Sequence, residues 1–227
     1  MKKKFYTELA YIIGLIILAF GTTLMEKADF GMSMVVAPAY VIYLKVSQYL
    51  EWFTFGMSEY CLQAILIVII CLVVRRVKIG YLGSFLTALL YGTILDVVMK
   101  LVGIIDISGM LYRICFFCIG MFACATGVSL LFHTYLSPEA YELFVKEYAD
   151  KYGKEISKVK TVYDCSSCVL AIILSFIFMG FGHFEGVKIG TVITAIVNGF
   201  IIGKCSSFFE KHFNFVDALS RKSRGNA

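Results

Sequence analysis

Charge is scarce in this chain. Asp, Glu, Lys and Arg together make up 16% of its 227 residues, where a soluble domain carries about a quarter. That shortage excludes an ordinary soluble domain and makes lipid the expected solvent. Histidine occurs three times, as His133, His183 and His212; these are far apart without ligand spacing, so no metal site is expected, and nothing points to another cofactor. Proline occurs twice, as Pro38 and Pro138, each shortly after an apolar run. No small-x-small cleavage site with a mature polar domain follows Met1-Lys2-Lys3-Lys4, so the first apolar run reads as a retained span. The net charge of +5 is scattered at the ends of apolar runs, which argues against a nucleic-acid surface and for topology signals.

What the chain has is apolar sequence, at 59% hydrophobic residues and a mean hydropathy of +0.82. Uncharged runs cover Leu9 to Met25, Tyr60 to Val74, Ile79 to Leu95, Ile114 to Pro138, Cys165 to Phe184 and Ile189 to Gly203. A span needs roughly 17 to 25 residues. The second and last runs are short, and flanking Glu59, Lys188 or Lys204 are expected near the interface, where long side chains snorkel. Six spans with a cytoplasmic N-terminus place 16 of 21 basic residues on the cytoplasmic side, the partition the positive-inside rule favours. Counting Phe30 to Leu44 as a seventh span gives only 14 against 7. Met32 to Leu44 is therefore predicted to be a re-entrant or interfacial helix, covered by protein or a water-filled cavity.

Self-comparison reveals a repeat. "IGLIILAFGTTL" (13–24) matches "IGMFACATGVSL" (119–130), pairing Gly14 with Gly120 and Gly21 with Gly127. "VKIG" occurs at 77–80 and 187–190, and "SFLTALLYG" (84–92) matches "TVITAIVNG" (191–199). Three spans per copy is an odd number, so the copies are expected to lie upside down to one another, as in many secondary transporters. The predicted fold is an all-α membrane bundle of two inverted three-span repeats, residues 1–104 and 105–212. A re-entrant or interfacial helix follows each first span, and a basic tail follows from 213.

Through "GTTLMEKADFGMS" (21–33), "KIG...SFLTALLYGTILD" (78–96) and "GVKIGTVITAIVNGFIIG" (186–203), the chain resembles the YitT/YczE-like bacterial multi-pass membrane proteins. The resemblance implies a bacterial plasma-membrane protein of about six helices with an undefined molecular function. The chain departs from the family pattern at Met34-Val35 and at "HTYLS" before Pro138.

Ionisable groups inside spans usually face a cavity or a partner. The candidates for solute or ion binding are Asp96, Asp164, Glu142 and, more remotely, Glu8. Asp96 leads, because it lies one turn beyond Gly92. Asn198 is a candidate polar contact. Gly80 and Gly190, with Gly83 and Gly186, sit where helix N-termini could face an anion. Gly199 and Gly203 have the spacing of a close helix contact. Cys115-x-x-Cys118 and Cys165-x-x-Cys168 have dithiol spacing but apolar surroundings, and read as ordinary small residues. The segment 137–162 is expected to start a helix at Ser137, with Tyr141, Phe144, Val145 and Tyr148 on one face. The expected function is alternating-access movement of a small solute or ion, in a monomer or homodimer without enzymatic activity. The alternative is a membrane scaffold acting through 137–162.

Overall fold

The computed structural model describes residues 2–105, 109–180 and 187–218. Along the chain these form β1 (Lys3–Tyr6), α1 (Thr7–Ala28), α2 (Ala37–Val46), α3 (Phe55–Val74), α4 (Ile79–Gly103), α5 (Met110–Phe132), α6 (Ala140–Tyr152), α7 (Ile156–Met179), α8 (Ile189–His212) and β2 (Phe213–Val216). Six helices, α1, α3, α4, α5, α7 and α8, are long and apolar enough to cross a membrane. Each has 20 to 25 residues, or roughly 30 to 38 Å of rise. Large apolar side chains point outward, Leu72 being 70% exposed, while Glu59 and Gln63 are wholly buried. That inverts the surface of a water-soluble protein. The chain is a multi-pass membrane protein.

Helices α1 and α5 form the centre and run antiparallel, since Gly14 meets Gly127 while Gly21 meets Gly120. A Cβ on Gly21 would lie 2.7 Å from the Gly120 carbonyl oxygen, and one on Gly120 would lie 2.8 Å from that of Gly21. Only hydrogen at both positions lets the two backbones touch. Around this pair, α4 packs on α1 and α8 on α5, while α2 packs on α7 and α6 on α3. Gly56 and Gly92 seal α3 against α4 by an equally close approach. Helices α7 and α8 scarcely meet, and the space where Gly199 and Gly203 would carry a Cβ is open. The close contact expected at those two glycines is not made among the described residues.

The two short helices do not span. Helix α2 has ten residues, about 15 Å of rise, and occupies much of the predicted segment Met32 to Leu44. Helix α6 begins at Ala140 rather than directly after Ser137. Its lead-in is held extended by α4, because the Ser84 hydroxyl donates to the Pro138 carbonyl and the Thr87 hydroxyl donates to the Ser137 carbonyl at 2.9 Å. Proline also disfavours a helical residue before it. The mirrored arrangement occurs at α8, whose Gly190 N–H donates to the Phe30 carbonyl at 2.8 Å.

Strand β2 pairs in parallel with β1, Lys3 opposite Phe213 and Tyr6 opposite Val216. Thr7 donates to Asp217, and the Ala218 N–H donates to Glu8. Residues 213–218, the start of the predicted basic tail, are therefore built into the fold; residues 219–227 lie outside the described ones.

Candidate functional site

A cavity of about 530 Å³ lies inside the bundle and separates α7 from α8. Both halves of the chain line it. From the first half come Leu18 and Thr22 of α1, Ser33 to Val36 ahead of α2, and Tyr91 of α4. From the second come Val128 and Leu131 of α5, the start of α6, Lys160, Thr161, Asp164 and Cys165 of α7, and Asn198 and Ile202 of α8. The lining is mainly apolar with a few convergent polar groups, the ordinary make-up of a small-molecule site.

Its ionisable groups converge from α6 and α7. Lys160 Nζ lies 3.2 Å from Glu142 Oε1 and 3.1 Å from Asp164 Oδ1, so one ammonium serves two carboxylates. Glu139, at the N-cap of α6, also faces the cavity and is 7% exposed, and its Oε1 has no hydrogen-bond partner. Burial, reinforced by the negative charges of Glu142 and Glu59, pushes the Glu139 carboxyl well above the ordinary carboxylate range, against a smaller opposing pull from Lys160. Asn198 Oδ1 is likewise buried and unpartnered. Behind this group stands Glu59, wholly buried on α3, which accepts from the Tyr141 hydroxyl at 2.8 Å.

Three of the predicted candidates, Glu142, Asp164 and Asn198, thus meet at one cavity. Asp96 does not. Its carboxylate accepts from the Thr54 hydroxyl at 2.6 Å and from the Gly56 N–H at 2.8 Å, bracing the start of α3 where Thr54 caps Met57. Gly190 has given its N–H to Phe30 and packs against Phe117, so it has no free donor for an anion. Gly80 lies beside Ser137, outside the cavity lining. Gly186 and His183 lie outside the described residues. Glu8 accepts from Tyr135 and Ala218 and ties the chain ends together.

Glu139, Lys160 and Glu59 escaped the sequence reading. Glu139 and Lys160 were counted with the polar segment 137–162, and Glu59 with the interfacial charges. The available signal was the pattern itself: an acid directly after Pro138, in a stretch whose first-half counterpart is apolar. All eight cysteines are free thiols; Cys115, Cys118 and Cys165 are exposed and Cys168 is partly so.

No curated protein and no solved structure matches this chain. A family model described as a family of unknown function (DUF6198) matches residues 5–207. With nearly all of its membrane-spanning sequence inside that match, the chain belongs to the family of unknown function DUF6198.

Proposed function

We propose that the protein moves a small solute or ion across a bacterial inner membrane by alternating access, with both chain ends cytoplasmic, and that it is not an enzyme. The observation that carries this reading is the cavity between the two halves, which holds buried charge inside an apolar bundle where charge without a task is costly. The halves are proposed to be inverted repeats, an architecture in line with the YitT/YczE-like resemblance. Offsetting the contact Gly14 with Gly127 by the repeat gives Gly120 with Gly21, the reciprocal contact that an approximate two-fold axis through the α1–α5 crossing requires. The pairing of α4 on α1 with α8 on α5, and of α2 on α7 with α6 on α3, follows the same exchange.

One departure from that symmetry supports movement. Helices α3 and α4 are sealed through Gly56 and Gly92, whereas their counterparts α7 and α8 stand apart with Gly199 and Gly203 unoccupied. Closing the second seam while opening the first is the rocking that alternating access needs. The scaffold alternative draws less support, because α6 buries Tyr141, Leu143, Val145 and Ala149 rather than presenting them to a partner.

The test uses a cysteine-free background with Val128→Cys in the cavity and Ala125→Cys, wholly buried on the same helix, as control. In sealed vesicles of either orientation, a small impermeant thiol reagent should modify Val128→Cys from both sides and leave Ala125→Cys unreacted. Protection from both sides, or reaction from one side only, rejects alternating access.

A further inference from the structure

We propose that the cavity binds a small organic ammonium ion, with Glu139 as counter-charge and Asn198 as a second acceptor, and exchanges it for one proton. This deepens the transport reading and rests on it. The charge balance disfavours an anion: Glu142 and Asp164 face the cavity and share its single cation, Lys160, and Glu139 adds a third carboxyl group. Buried oxygens without a partner in the lining include Glu139 Oε1 and Asn198 Oδ1. An ammonium group offers donors and no acceptor, and so matches them. The remaining wall, with Leu18, Val35, Val128, Leu131 and Ile202, suits an alkyl body. A bare metal ion fits poorly, because hard cations demand a close cage of oxygen ligands. Among the described residues no three His, Cys, Asp or Glu are placed to hold one.

The surroundings of Glu139 set the proton count. It is in electrostatic reach of Glu142 and Tyr141 on α6, Glu59 on α3, Lys160 on α7, Tyr11 on α1, Tyr91 on α4 and Cys124 on α5, and Asp164 of α7 lines the same cavity. Only one of these is a cation, and it is already paired, so the empty site keeps Glu139 protonated. When the ammonium enters, the carboxyl O–H bond breaks and that proton leaves to solvent. The carboxylate pairs with the ammonium, which keeps its own protons. One positive charge enters and one departs, so the burial of net charge is unchanged.

The protein in detergent is titrated at pH 7 with n-butylammonium chloride, with sodium butyrate as the charge-reversed match and n-butanol as the neutral one. Butylammonium should raise the midpoint of thermal unfolding and release about one proton per site into a weakly buffered solution, by linkage. Glu139→Gln should abolish the release and weaken binding by roughly tenfold or more. If that variant does not fold, Asn198→Ala should show the weakened binding, and unchanged affinity in it counts against the assignment. Butyrate or butanol acting as strongly as butylammonium, or proton release that survives Glu139→Gln, overturns the ammonium site while leaving the transport reading intact. The absence of any butylammonium effect overturns it as well, and cysteine accessibility then judges transport separately. Mixed micelles containing phosphatidylethanolamine separate a second source of the same chemistry: stabilisation by that lipid but not by butylammonium assigns the site to a headgroup and rejects a free solute.

Discussion

Glu139 and Asp96 are both acids close to apolar helices, yet Asp96 is hydrogen-bonded at a helix start while Glu139 faces the cavity with an unpartnered oxygen. Asp96 satisfies two donors at the start of α3, so Asp96→Ala should cost about 1 to 3 kcal/mol by stranding them. A lowered unfolding midpoint with an unchanged rate of Val128→Cys modification is the expected result. Burial and the neighbouring carboxylates of Glu142 and Glu59 push the Glu139 carboxyl well above the ordinary carboxylate range. Its folded-state pKa lies above the unfolded value of about 4.3, so its contribution to stability is complete below that pH. It is lost as pH rises through the folded-state value. Glu139→Gln should therefore leave stability nearly unchanged at about pH 4, near that unfolded value, and flatten its decline at higher pH; parallel pH curves for both proteins would contradict this. Glu142, Asp164 and Asn198 were legible in the sequence because polar groups stand out in or beside apolar runs. Asp96 stood out for the same reason, and a run of letters cannot say whether a carboxylate faces a cavity or a helix start.

The six long helices were legible at the element scale, because each carries an apolar run that reaches membrane length alone or with its flanking residues. The α1–α5 crossing was foreshadowed by the glycines at 14, 21, 120 and 127, although the sequence aligned them by repeat and the structure opposes them in the reciprocal order. Gly21→Leu would drive a side chain into the Gly120 carbonyl and Cys124. Such overpacking costs about 1 to 3 kcal/mol where neighbours can shift, and backbone cannot. Failure to accumulate in the membrane, or a clear fall in the unfolding midpoint, is expected, whereas Gly199→Leu should be tolerated because that position is open. The start of α6 was misplaced because hydrogen bonds from Ser84 and Thr87 come from another helix fifty or more residues earlier. The strand pair was invisible for a similar reason: Phe213–Val216 gains its partner only from Lys3–Tyr6 at the far end of the chain.

For the whole molecule, six spans and a parallel pairing of β1 with β2 require those two strands to share one face. Cysteines placed at Lys78 and Lys188, the N-caps of α4 and α8, should react with an impermeant reagent from opposite faces of the membrane if the halves are inverted. Labelling of both from one face would dismantle the repeat. The expected orientation comes from the charge distribution and the expected repeat from self-comparison, whereas the cavity was beyond reach because it depends on how far apart α7 and α8 stand.

The pairing of β1 with β2 also makes the polypeptide almost circular. Strands β1 and β2, which already lie side by side, can be joined by a linker and new ends cut where backbone is exposed, as at Gly153 between α6 and α7. Such a rearranged chain should insert and fold with its spans in place. The order in which the two halves leave the ribosome would then be open to experiment, apart from the structure they reach.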